Sequence, residues 1–355
     1  MRGARFFLAL AIGAMIDIGG GEARACTTFC LRDAGRVVFG RNYDFMIGDG
    51  LVVVNKRGVE KTSDVDGSRP AIWTSTYGSV TFNQFGRDFP TGGVNEMGLV
   101  VELMWLEGTR YPAADARPAV GVLEWIQYQL DRRRSVAELL AHKDEVRIEG
   151  ATPLHYLVAD RTGEVATIEF LDGRLVAHSG AGLTVPVLTN DEYERSLAYT
   201  SRHPAATGGS SLDRFARAAA MVARRDPGDS SSLVDYAFGI LRSVSQGQHT
   251  RWSIVYDLTG MVVSFRTSSH PAIRSFTVSE FDFACATPVR MLDVNAPLAG
   301  DVTGRFTDYT SGANHDLVSR SYARVPFLSG VPPERVERVA RHPDGTRCLP
   351  QPRER

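Results

Sequence analysis

Residues 23–45 read ARACTTFCLRDAGRVVFGRNYDF: the small-residue end of a leader, then two short apolar segments joined by a turn. Thr27 to Leu31 and Arg36 to Gly40 read as strands, and Asp33-Ala34-Gly35 between them as the turn of a hairpin. Antiparallel pairing across that turn brings Arg41 back beside Cys26. A sheet therefore begins at Cys26, with a cation near its thiol.

Upstream, Arg2 and Arg5 precede the apolar run Phe6 to Ile16 and a polar, glycine-rich stretch ending in Ala23-Arg24-Ala25. This is the layout of a secretory signal peptide, residues 1–25, cut before Cys26, and it implies a periplasmic or secreted protein. The apolar run is about half of the roughly 20 residues that span a bilayer, so no stable membrane anchor is expected. Lipoproteins are also cut before a cysteine, but their signals carry a leucine three residues earlier, where this chain has Ala23, and small residues between, where it has Arg24.

Cleavage there would put a thiol and a free α-amine on one residue. The amine, with a reference pKa near about 8, can take the thiol proton directly or through water. Arg41 would lower the thiol pKa, and Asp44 could hold the amine lone pair toward the thiol. Taken alone, an Arg and an Asp in a loop would more readily be a surface ion pair.

With 43% hydrophobic and 23% charged residues, the 355-residue chain has the make-up of an ordinary globular protein. Its 40 basic and 41 acidic residues nearly cancel and form no like-charged block, which argues against a nucleic-acid partner and favours a small molecule. Four cysteines, Cys26, Cys30, Cys285 and Cys348, are too few for a disulfide framework and match no zinc spacing. Cys285 and Cys348 are free to pair in an oxidising compartment, and Cys30 reads as a small buried hydrophobe. His155, His178, His203 and His249 are scattered without metal spacing and read as ordinary histidines.

Further strands are expected at Leu51 to Lys56, Leu99 to Trp105, His155 to Ala159, Val165 to Phe170, Pro186 to Thr189, Trp252 to Leu258 and Met261 to Arg266. Two helix pairs interrupt them, Val120 to Leu130 with Val136 to His142, and Leu212 to Arg224 with Leu233 to Val244. In the last, Leu233, Tyr236, Ala237, Ile240, Leu241 and Val244 recur at helical spacing, so one face should lie on a sheet. This order predicts an α+β fold of two packed antiparallel sheets with helices outside, in one domain over 26–330. Residues 331–355, rich in Pro and Arg, read as an irregular tail.

Five segments, Cys26-Thr27, GRNYDF at 40–45, NEMGL at 95–99, VLTN at 187–190 and SLDRF at 211–215, together resemble the choloylglycine hydrolase and penicillin V acylase family. TRWSIVYDL and LDVN later in the chain also have counterparts there. The resemblance implies a four-layer αββα N-terminal-nucleophile hydrolase that cleaves linear, non-peptide amides without cofactor or metal. It implies Cys26 as nucleophile, Arg41 as its electrostatic partner, Asp44 as the carboxylate steadying the α-amine, Asn190 in the oxyanion hole and Arg214 organising the nucleophile. It also implies a homo-oligomer, often a tetramer.

One departure stands at Trp105, where bile salt hydrolases carry an asparagine. Its backbone N–H is expected to face the oxyanion while the indole reshapes the acyl pocket, the lesser reading being a core-facing tryptophan on a buried strand. The expected substrate is an N-acyl amide, among phenoxyacetyl penicillins, N-acyl homoserine lactones, conjugated bile acids and other lipid amides. An acyltransferase using the same acyl-enzyme is a second reading, and a lipidated periplasmic binding protein on a degenerate fold a third.

Overall fold

The computed structural model describes residues 26–349 except 68, 205 and 226–231. The expected signal peptide and the last residues of the tail, 350–355, lie outside the described residues. One sheet has seven strands in the order Val187–Leu188, Thr27–Asp33, Arg36–Asp44, Thr250–Asp257, Val262–Thr267, Arg274–Thr277 and Gly300–Asp301. The second has nine, Arg174–Ser179, Val165–Leu171, Leu154–Ala159, Val100–Trp105, Gly92–Asn95, Ser79–Asn83, Leu51–Asn55, Arg290–Asp293 and Thr307–Asp308. All of these pairings are antiparallel except the last pair of the seven-stranded sheet.

The central strands carry apolar residues at nearly every position because both of their faces are covered. In Arg36–Asp44 only the first residue is exposed. Helices Ser211–Ala223 and Leu233–Ser243 lie on strands Thr27–Asp33 and Arg36–Asp44, while Glu124–Arg132 covers Gly92–Asn95 and Val100–Trp105. Between the sheets, Phe82 meets Trp252 and Phe265 with ring centroids 6.2 and 5.5 Å apart, an edge-on and tilted packing that favours the aromatic quadrupoles. The result is the expected four-layer αββα sandwich.

Local signals set the helix ends. Ser210 caps Ser211–Ala223 in a reciprocal box with Asp213, and Ser135 accepts the Glu138 N–H at 3.2 Å, each satisfying an otherwise orphaned donor. The first helix starts at Glu124 rather than Val120, because Ala119–Val120 is drawn into a parallel pairing with Arg147–Ile148.

The irregular tail expected from 331 is corrected by the structure. Ser311–Arg324 and Pro333–Arg341 are helices, and Arg347–Cys348 adds a short strand to Val59–Thr62. Pro333, with its ring fixing φ, suits the first helical turn, and the helix buries Val339 and Ala340 with Val318. The arginines that made the segment look irregular form its polar face: Arg335 and Arg338 pair with Asp64 at 3.0 and 3.1 Å. A disulfide joins Cys285 to Cys348 across 63 residues of sequence. The Cys285→Ser, Cys348→Ser double variant is expected to lose about 2–4 kcal/mol, because the unfolded chain regains the freedom of that long loop. Urea unfolding checks it.

Candidate active site

The hairpin register sets Thr27 opposite Asn42 and Thr28 opposite Arg41, so Cys26 enters the core beside the end of the second strand. Its side chain is buried, and its sulfur lies 3.9 Å from the Asp44 carbonyl. Burial pushes the Cys26 thiol above its ordinary pKa, and the Arg41 charge pulls it back. The thiol therefore stays protonated at neutral pH unless a base takes its proton.

Arg41 is wholly buried and donates to the Thr91 and Leu103 carbonyls at 2.9 and 3.3 Å. It forms an ion pair with Glu102, which also accepts the Tyr256 hydroxyl. Burial opposes the Arg41 charge, but the Glu102 carboxylate together with Cys26, Tyr43 and Tyr256 more than offsets it, so the guanidinium stays cationic. A Cβ at Gly92 would collide with the Glu102 carboxylate, which explains glycine at that position. Glu102 was missed in the sequence, although an acid inside the apolar run VVELMW is the signal that could have found it.

Asp44 is buried, with one carboxylate oxygen accepting the Thr250 hydroxyl and Oδ2 without a hydrogen-bond partner among the described residues. Burial lifts its carboxyl to about 7 against the pull of Thr250, Arg214 and Arg41. Thr250 opens the TRWSIVYDL segment, yet its contact with Asp44 depends on a pairing between strands 206 residues apart in sequence.

Asn190 and Arg214 form a second cluster. Arg214 donates to Asn190 Oδ1 at 2.8 Å, to the Thr27 hydroxyl at 3.3 Å and to the Gly209 carbonyl at 2.9 Å. Asn190 Nδ2 in turn donates to the Trp105 carbonyl at 2.9 Å, so the side-chain amide is fixed from both ends. Because Leu106 N–H donates to Pro153, strand alternation turns the Trp105 backbone N–H and C=O to the opposite edge, toward Asn190. His155, read as an ordinary histidine, is buried and meets the Thr189 carbonyl through Nε2 at 2.7 Å, beside Asn190.

A cavity of about 290 Å³ opens from Cys26 and Asp44. Its walls include the apolar Phe45, Phe85, Leu103, Trp105, Leu154 and Phe327, with Asp64, Glu124, Glu149 and Arg335 among its polar lining. Trp105 is thus at the pocket surface and not enclosed in the core. Among the described residues, no group of three or more His, Cys, Asp or Glu side chains is arranged to hold a metal ion. No helix among them is long and apolar enough to cross a membrane.

The four-layer αββα sandwich is the fold of N-terminal-nucleophile hydrolases, and here it holds a buried cysteine, a charged cluster and an apolar cavity at one strand end. The profile of linear amide C–N hydrolases, choloylglycine hydrolase family, matches residues 26–237, and the chain belongs to that family. It is 28% identical over 274 residues to penicillin V acylase from Pectobacterium atrosepticum, covering 63% of this chain and 72% of that protein. The structure resembles penicillin V acylase from Agrobacterium tumefaciens, with TM-score 0.71 and 26% identity, over 80% of this chain and 98% of that one. A variant of conjugated bile acid hydrolase from Clostridium perfringens shares the fold with TM-score 0.65 at 17% identity, over 77% of this chain and 98% of that one.

The buried ion pair generates a stability prediction. Glu102→Leu leaves Arg41 buried without a carboxylate and is expected to cost about 3–5 kcal/mol, whereas Arg41→Met with Glu102→Leu should recover most of that loss. Denaturant unfolding of the single and double variants checks both outcomes.

Proposed function

We propose that this linear amide C–N hydrolase is exported by its leader, cut before Cys26, and uses that residue as both nucleophile and base. The observation that carries this reading is the buried Asp44 Oδ2, which has no hydrogen-bond partner among the described residues and lines the same wall as Cys26. A buried acceptor left so costs about 1–3 kcal/mol, and an α-ammonium released on Cys26 would satisfy it. Support comes also from the family match, which begins at residue 26.

The α-amine takes the thiol proton as Sγ attacks the amide carbonyl. Asn190 Nδ2 and the Trp105 backbone N–H stabilise the oxyanion, a contribution of about 3 kcal/mol for one well-aimed donor. Arg214 keeps the Asn190 amide from rotating by holding its Oδ1. Collapse breaks the C–N bond, and the ammonium returns its proton to the leaving amine. Water then attacks the thioester, giving its proton to the α-amine; the C–S bond breaks, the carboxylic acid leaves, and the ammonium returns the proton to the Cys26 sulfur. The apolar cavity fits the acyl side of an N-acyl amide, as in penicillin V or an N-acyl homoserine lactone, with the indole of Trp105 in place of a polar group.

Protein exported from its own leader is expected to start at an unmodified Cys26 by intact mass and to release acyl acid from penicillin V or an N-acyl homoserine lactone. Cys26→Ser should lower kcat at least about a thousandfold. A diacylglyceryl adduct on Cys26, or a chain starting elsewhere, would refute the reading. Protonated Asp44 cannot accept from the amine through both oxygens, so kcat/KM is expected to rise with pH through about 7. The slope should approach about tenfold per pH unit on the acid side, read from a pH–rate profile.

A further inference from the structure

The C-terminal segment 311–341, whose last part falls in the expected tail, supplies one side of the pocket. Tyr322, Phe327, Leu328, Arg335 and Val339, all between residues 311 and 341, line the cavity that holds Cys26. The family match ends at residue 237, far short of this segment.

The segment is held to the body on both sides of its central turn. Before the turn, the Ser321 hydroxyl donates to the Gln84 carbonyl at 2.7 Å, and Arg324 pairs with Asp49 at 2.5 Å. After it, Arg335 pairs with Asp64 at 3.0 Å, and the Cys285–Cys348 disulfide ties down the chain beyond the last helix. The turn itself, Pro326–Leu328, lies between these anchors.

Phe327, in that turn, is 42% exposed although it is a large apolar side chain and lines the cavity. Its ring lies 6.4 Å from Phe45 edge-on and 6.3 Å from Trp105. Phe45 follows Asp44 directly and Trp105 ends the strand whose carbonyl holds Asn190, so these two rings extend from the reacting end and Phe327 meets them on the water-facing side of the cavity. A side chain partly in water and partly in the cavity sits at the boundary between them. The cavity volume of about 290 Å³ lies at the small end of small-molecule sites.

We propose that Phe327 is a specificity-determining residue that closes the outer end of the acyl site against Trp105 and Phe45. It favours compact, ring-bearing acyl groups, which pack against the aromatic faces, and it obstructs long alkyl chains, which would have to pass through the position of its ring. The inference rests on the amide-hydrolase reading of the same cavity.

The test uses the mature full-length enzyme and amides of one common amine acylated with phenoxyacetyl, butanoyl, hexanoyl, decanoyl and dodecanoyl groups. Phe327→Ala is expected to raise the ratio of decanoyl to phenoxyacetyl kcat/KM at least tenfold, mostly through KM, while Phe327→Tyr keeps the wild-type order. A ratio within twofold of wild type in a folded, active Phe327→Ala variant overturns the proposal. If the wild type turns over no member of the series, the hydrolase reading has failed. Calorimetric titration with the free acyl acids then tests Phe327 by itself. A shift of binding preference toward the long acids in Phe327→Ala upholds its role, and an unchanged preference, or no binding by either protein, overturns it.

Discussion

A guanidinium buried between two apolar sheets keeps its charge only with a carboxylate against it, and the Arg41–Glu102 pair is that contact. It joins the strand Arg36–Asp44 of the seven-stranded sheet to the middle of the nine-stranded one. Gly92 leaves room for the carboxylate, and the Tyr256 hydroxyl adds a third strand to the cluster. A slip of one residue in any of these strands would turn a charged side chain to the wrong face, so the pair also sets register. The charge beside the thiol and the alignment of the sheets thus have one cause.

The site is assembled from segments far apart in sequence, each placed by its own local element. Cys26 comes from the start of a strand, Asp44 from the end of the next, Asn190 from the turn after a short edge strand and Arg214 from a capped helix. Hydrogen bonds from Arg214 to Asn190 and from Asn190 to Trp105 connect the two sheets across the catalytic end. The polar groups are therefore held by contacts made before any substrate arrives, which is the condition for electrostatic preorganisation.

Legibility varied with how local the cause was. The hairpin at residue 26, the helix at Ser211 and the helix at Leu233 carried their own turn, cap and periodicity signals; both helices lie within a residue of the expected bounds, and the hairpin strands start as expected but run on to Asp33 and Asp44. The tail failed because composition was read without amphipathicity: the Pro and Arg residues open and clothe a helix whose inner face is only Val339 and Ala340 deep. The helix Tyr193–Arg202 was missed for a similar reason, since it buries only Tyr193 and Ser196.

Cys26, Arg41 and Asp44 were singled out by residue type and hairpin spacing, because a thiol or a guanidinium carries its reactivity wherever the chain puts it, whereas Asn190 and Arg214 were named only through the family resemblance. The partners that tune them could not be named. Glu102, Thr250 and Tyr256 gain their roles only when strands distant in sequence are paired. Phe327 becomes a wall of the cavity only when the C-terminal helices fold back over it. By itself the sequence determined the fold class, which follows from short-range pattern and turn chemistry, and it singled out candidate reactive groups by their functional-group chemistry and the family resemblance. Tertiary structure alone decided the state of each charge and the shape of the acyl site, because desolvation and enclosure are set by what is packed alongside and not by what is next in the chain.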